Sequence, residues 1–224
     1  MLAIYLTIII AMAVLTICYR FAATGPGAPV WIRALPVPKW GDFFIYAGLM
    51  ASSCFAIYAL FMQAMFVPSA SMAPGLQPGQ TILIKPAAFG LINPFTGSHL
   101  TDGDFESLRR GEVVLAKFAY NADVLYIKRV VALPGDVFGL TKEGYTLNGV
   151  LHPFEATERE NIYRVNLGAS SFLVTIDPTV RFEEQAPIKV PQGFVYMLGD
   201  NLTKSSDSRE LGFISLRNII ARPF

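Results

Sequence analysis

The chain has 224 residues, enough for one or two domains, of which 53% are hydrophobic and only 16% charged. That balance is too apolar for an ordinary soluble domain and directs attention to long uncharged runs. A formal net charge of +1 offers no electrostatic footprint for nucleic acid, which is not expected as a partner.

Residues 1–19 contain no Asp, Glu, Lys or Arg before Arg20. As a helix they reach about 28 Å, close to the hydrocarbon thickness of a bilayer. No basic segment precedes this run and no small-x-small cleavage site follows it, so a retained transmembrane helix is expected rather than a cleaved leader. Residues 43–66 form a second uncharged run, long enough to span with some tilt. The loop between them, residues 20–42, carries Arg20, Arg33 and Lys39 against Asp42 and belongs on the cytoplasmic side by the positive-inside rule. Everything from residue 67 to 224 then lies outside the cytoplasm. Cys18 and Cys54 fall inside the two spans, where they read as apolar packing, and the exported part contains no cysteine.

Beyond Phe66 the pattern changes to short β-branched and aromatic runs: Thr81–Ile84, Glu112–Phe118, Val124–Leu133, Ser171–Ile176 and Phe194–Leu198. Turn signals such as Pro134-Gly135-Asp136 and Leu147-Asn148-Gly149 separate them. This spacing predicts a mainly-β domain with no persistent helical period. Residues 89–110 read as a long surface loop. About 139–190, charged and aromatic without clear alternation, read as a small β-rich insertion.

Several chemistries are excluded by the residues themselves. There is no G-x-S-x-G elbow and no Ser three positions before a Lys. The two histidines, His99 and His152, stand apart from cysteines and paired carboxylates, so neither a zinc site nor a Ser-His-Asp triad is supported. No metal or cofactor is expected, and a nucleophilic serine here needs another base.

Three segments supply one: Val67-Pro-Ser-Ala-Ser-Met-Ala-Pro-Gly-Leu76, Tyr126-Ile-Lys-Arg-Val-Val-Ala-Leu-Pro-Gly-Asp136 and Gly199-Asp-Asn-Leu-Thr-Lys-Ser-Ser-Asp-Ser-Arg-Glu-Leu-Gly-Phe213. With Arg110-Gly-Glu-Val-Val114, and in this order after two apolar runs, they resemble the boxes of bacterial type I signal peptidases (leader peptidases), the Ser/Lys-dyad proteases of family S26. The resemblance implies two transmembrane helices followed by an extracytoplasmic β domain of the signal-peptidase and self-cleaving-repressor type. It also implies a multi-pass protein of the bacterial cytoplasmic membrane whose catalytic domain faces the periplasm. Its expected partners are signal-peptide-bearing preproteins and the lipid bilayer.

By position, the resemblance makes Ser71 the nucleophile and Lys128 the general base. Ser69 and the backbone N–H of Ser71 match the oxyanion hole. Ser205 matches the hydroxyl that orients the lysine, and Asp207 and Arg209 match a supporting ion pair. Val67, Met72, Leu76, Ile82 and Ile127 match or adjoin small apolar pockets for Ala-like side chains. The physical requirement is plain: an ordinary lysine is neutral in only about 0.04% of molecules at pH 7, so burial must lower its pKa. An apolar strand with Tyr126, Lys128 and Val130 on one face is suited to that, provided Asp207 points at Arg209 and not at the amine.

The sequence departs from the family pattern at Gly75, where Thr is usual, at Leu202, which replaces the Arg that commonly follows Gly-Asp-Asn and so removes one surface ion pair, and at Glu112, which replaces Asp. These departures suggest a divergent member tied to a specialised secretion or conjugation machinery, such as a pilin-processing peptidase. A catalytically silent membrane assembly factor is the other alternative, opposed by the intact Ser71, Lys128 and Ser205.

Overall fold

The computed structural model describes residues 47–54, 63–86, 88–90, 103–118 and 121–224. The first predicted span and the loop 20–42 lie outside the described residues. Two compact units divide the chain, Met1–Ala59 and Leu60–Phe224. In the first, residues 47–54 are helical, and the Ser52 and Ser53 hydroxyls donate to the carbonyls of Gly48 (2.5 Å) and Leu49 (2.8 Å) one turn back. This back-bonding satisfies both hydroxyls within the helix itself. Among the described residues no helix is long and apolar enough to cross a membrane.

The second predicted span was drawn to Phe66, but its last four residues are not helical. Gln63–Phe66 form strand β1, antiparallel to β2 (Thr81–Lys85), with Met65 opposite Ile82 and Phe66 opposite Thr81. The register is fixed by Val67 N–H donating to Gln80 O (2.8 Å) and Gly79 N–H donating to Val67 O (3.0 Å). Backbone pairing along β2, together with packing of Met65 against the apolar cluster beneath, overrides the uncharged run.

The remaining strands follow in chain order. They are β3 (Val113–Phe118), β4 (Asn121–Ala132), β5 (Val137–Leu140), β6 (Gly144–Leu147), β7 (Val150–Pro153), β8 (Glu155–Ala156), β9 (Ile162–Leu167), β10 (Ser170–Thr175), β11 (Gln185–Lys189), β12 (Phe194–Leu198), β13 (Ile214–Ser215) and β14 (Ile219–Pro223). One sheet has the order β1-β2-β14-β3-β4-β12-β13, a second β11-β5-β6-β7 and a third β10-β9-β8. The domain is mainly β, as expected, with a single four-residue α-helix, Ser208–Leu211, among its described residues.

The stretch 139–190 accounts for most of the two smaller sheets. Its hairpin between β6 and β7 turns through Asn148 (φ 52°) and Gly149 (φ 84°), the backbone pair that matches the twist of its strands. Phe138, Tyr145, Phe172 and Tyr196 pack together in its core.

In the large sheet, Val114, Leu115 and Ala116 are consecutive and fully buried, so β3 is covered on both faces. One face packs with Phe118, Val130, Val195, Met197 and Ile219, the other with Ile82, Ile84, Ile127 and Ala221. The loop read as surface at 89–110 is anchored at its described ends. Phe89 and Leu108 are buried, and Phe89 stacks on Phe105 at 5.7 Å, because both ends cap an apolar cluster that solvent would otherwise reach.

The link from β4 to β5 turns at Gly135 (φ 90°) and is held by Asp136. Its buried carboxylate accepts from Arg110 Nε and Nη2 (both 2.7 Å), Asn148 Nδ2 (2.9 Å) and the Leu133 amide (2.8 Å). Burial alone would raise this carboxyl, but the bonds from Arg110, Asn148 and Leu133 outweigh it and hold its pKa below the usual range. Asp136→Ala is expected to cost about 2 kcal/mol in chemical denaturation, at the low end for a broken pair because Arg110 is partly exposed. In the wild type this contribution is present above the ordinary carboxylate pKa and is lost as pH falls through the lowered one.

Candidate active site

Two prolines, Pro68 and Pro74, bracket a short 3-10 turn, Ala70–Met72, that leaves β1. Met72 points inward and is 1% exposed, which fixes the turn and leaves its neighbour Ser71 on the open side. The turn closes through Ala73 N–H to Ala70 O (3.1 Å) and continues through Leu76 N–H to Met72 O (2.8 Å). Strand β4 meets it with Lys128, paired opposite Val114 and only 3% exposed. The Lys128 Nζ donates to Ser71 Oγ at 2.9 Å, and Ser69 Oγ lies 3.1 Å from the same oxygen.

Burial lowers the pKa of Lys128 from 10.5 to about 8; Asp207 opposes this, Arg209 assists it and Asp200 opposes it. The Asp207 carboxylate is engaged away from the amine. It faces Arg209, with Nε to Oδ1 and Nη2 to Oδ2 both at 2.9 Å, and it also accepts from the Gly199 amide (3.0 Å). Arg209 in turn donates to the carbonyls of Leu202 (2.7 Å) and Ser205 (3.3 Å). A closed bidentate pair presents little net charge to the amine.

Ser205 differs from expectation. Its hydroxyl is buried but has no hydrogen-bond partner among the described residues, so the expected contact with Lys128 is not made. Its backbone is tied to Arg209, and its side chain packs against the Cα of Gly199, where a Cβ would collide with both Ser205 Oγ and the Ser71 carbonyl. Glycine is therefore required at 199, and the Ser205 hydroxyl lies beside the main chain of the nucleophile turn.

The five predicted lining residues gather in one cluster. Val67, Met72, Ile82 and Ile127 are buried in it and Leu76 packs against it. Val67 and Met72, each 1% exposed, support the floor, while Ile82 and Ile127 reach its surface slightly. Leu115, Ile84 and Ala221 belong to the same cluster and were not singled out from the sequence.

Sequence reasoning also passed over Arg129 and Asp200, although both stand inside quoted segments. Arg129 alternates away from Lys128 and clamps Asp200 through Nε to Oδ1 (2.7 Å) and Nη2 to Oδ2 (2.6 Å). Burial pushes the Asp200 carboxyl up, against the opposing pull of Arg129. The next amide, Asn201 N–H, donates to Ser71 O (3.0 Å) and ties this segment to the serine turn. Leu202 is 2% exposed and belongs to the core of the smaller sheets, so it does not occupy a surface ion-pair position as expected. Gly75 leaves room for Asp200 Oδ2, which a Cβ would meet at 2.9 Å. Glu112 accepts from Arg222 Nη1 (3.0 Å). His99 lies outside the described residues, and His152 Nδ1 sits 2.7 Å from the Asn166 carbonyl.

The family model described as signal peptidase, peptidase S26 matches residues 37–224. Signal peptidase I of Pseudomonas aeruginosa is 32% identical over 178 residues, covering 70% of this chain and 62% of that protein. Signal peptidase I of Aquifex aeolicus is 25% identical over 204 residues, covering 72% and 74%. A solved signal peptidase I from Enterococcus faecalis aligns over 51% of this chain and 94% of that one, at 21% identity and a TM-score of 0.34. The chain thus spans less than two thirds of the Pseudomonas protein's length. By the extent of the family match, it belongs to the signal peptidase, peptidase S26, family.

Proposed function

We propose that this protein is a membrane-bound serine endopeptidase that removes N-terminal signal peptides from exported preproteins after small-x-small sites. The observation that carries the reading is the 2.9 Å contact between Ser71 Oγ and an amine whose burial lowers its pKa to about 8, leaving roughly a tenth of it neutral at pH 7. With Lys128 neutral, this contact runs from hydroxyl to amine. Lys128 takes the Ser71 proton as Ser71 Oγ adds to the scissile carbonyl, and the C–N bond breaks as the ammonium returns that proton to the leaving amine. Ser69 Oγ and the Ser71 N–H receive the developing oxyanion. Water, deprotonated by the same lysine, adds to the acyl carbon, and the ammonium returns that proton to Ser71 Oγ as the ester bond breaks.

The substrate lies extended over the apolar floor of Val67, Met72, Leu76, Ile82 and Ile127, held by backbone bonds and shallow pockets. The proposed organisation is a first span at 1–19, a cytoplasmic loop at 20–42, a second span from 43 ending before β1, and a catalytic domain beyond it with an insertion at about 139–190. Ser71 follows β1 closely, which keeps the reaction beside the bilayer where a signal peptide emerges.

Incubated in detergent with a precursor bearing an Ala-x-Ala site, the wild type is expected to release the mature protein. Ser71→Ala and Lys128→Met should each remove activity to background. An active Ser71→Ala enzyme would overturn the reading.

The acidic limb of kcat/KM should have an apparent pKa near 8, with a drop approaching tenfold per pH unit below it, because the base must be neutral. A limb near pH 5 would assign the base to a carboxylate instead.

Burying the charged lysine also carries a stability cost. Since its folded pKa is lowered from 10.5 to about 8, the cost is full below pH 8 and vanishes as pH rises through 10.5. Lys128→Met should therefore be more stable than wild type at pH 7, on the order of 3 kcal/mol, with the advantage shrinking across that window. Thermal unfolding followed at several pH values measures it.

A further inference from the structure

Strand β10 belongs to the stretch 139–190, to which the sequence assigned no function, yet its residues touch the catalytic frame at three places. Ser170 Oγ donates to Arg110 O (2.8 Å), and its side chain fills the space beside Gly111, whose carbonyl accepts from Arg129 Nη1 (2.5 Å). The ring of Phe172 lies under the Arg129 guanidinium at 4.2 Å. Thr175 reaches furthest. Its N–H donates to Asp200 O (2.8 Å), its carbonyl accepts from Leu202 N–H (3.0 Å), and its hydroxyl donates to Ala73 O (3.3 Å).

The nucleophile turn is therefore gripped at two carbonyls. Asn201 N–H holds that of Ser71, and Thr175 Oγ1 holds that of Ala73, on either side of the buried Met72. Asn201 is itself the residue bridged to Thr175. Once both carbonyls are fixed, Ser71 retains little freedom beyond rotation of its own side chain. The distance to Lys128 Nζ and to the oxyanion donors is then set by the backbone.

We infer that Thr175 is a positioning residue for the Ser71 nucleophile, acting through its hydroxyl on the Ala73 carbonyl. The inference rests on the reading of Ser71 and Lys128 as the catalytic pair. It makes the β-rich stretch a working part of the active site. The hydroxyl can be separated from the strand, because both ladder bonds of Thr175 come from its backbone. Valine, β-branched and of the same shape, keeps the strand and removes only the oxygen.

The test compares wild type, Thr175→Val and Thr175→Ser. Thr175→Val should lower kcat roughly tenfold with KM changed by less than about twofold, since a misplaced nucleophile affects reaction more than binding. Thr175→Ser should restore most of the rate, and the acidic limb should stay in place because Thr175 does not touch Lys128. The same variants are treated with p-nitrophenyl acetate, and acetylation of Ser71 is followed by peptide mass spectrometry. Slower Ser71 acetylation in Thr175→Val, recovered in Thr175→Ser, supports the inference without depending on any preprotein. Equal acetylation and equal kcat in wild type and Thr175→Val overturn it while leaving the dyad standing. A loss that tracks a fall in Tm and is not rescued by serine overturns it as well. Absence of Ser71 acetylation in the wild type itself overturns the dyad reading, and the inference with it.

Discussion

The site depends on one constraint, the removal of the Lys128 amine from water. A solvated lysine beside Ser71 would be an ammonium and could only donate to it. At 3% exposure the charged form loses hydration that the surroundings do not replace, and its pKa falls to about 8. Much of the neighbouring architecture protects that condition. Asp207 is turned into Arg209, and Asp200 into Arg129, so two carboxylates near the amine spend their charge elsewhere. Left unpaired, either would stabilise the ammonium further and oppose the proposed base.

The same ion pairs shape the backbone. Asp207 holds the Gly199 amide, and Gly199 allows Ser205 and the Ser71 carbonyl to approach where no side chain would fit. Asp200 and Asn201 then carry the connection to Ser71 and to β10. Ion pairing near Lys128 and the backbone tie to Ser71 thus come from one short segment, 199–209. Changes there are expected to couple, because the groups share hydrogen-bond partners.

The strands most legible in sequence were those with uninterrupted β-branched or aromatic runs. β12 matches its predicted run at both ends, β2 runs one residue longer and β10 is displaced by one residue. The Asn148-Gly149 hairpin was legible because its turn demands those residue types. Less legible were β1, hidden at the end of an uncharged run, and β14, whose value lies in pairing with both β2 and β3. The burial of Phe89 and Leu108 was also hidden, since a Gly- and Ser-rich neighbourhood says nothing about what its ends cover. Leu202 was misread for a related reason: it stands in a polar loop but faces the core of another sheet.

The sequence by itself determined the chemical types in the site and their order along the chain: two serines at a proline-bracketed turn, a lysine in an apolar strand, and an Asp-x-Arg pair after Gly-Asp-Asn. These are local patterns, set by residues a few positions apart. Only the tertiary structure decided which of them meet. Ser71 and Lys128 are 57 residues apart, Arg129 and Asp200 71, and Ala73 and Thr175 102. Such contacts follow from strand pairing and from the sharing of one buried floor, which no local pattern encodes. The depth at which Lys128 is buried, on which the proposed base depends, belongs to that second category.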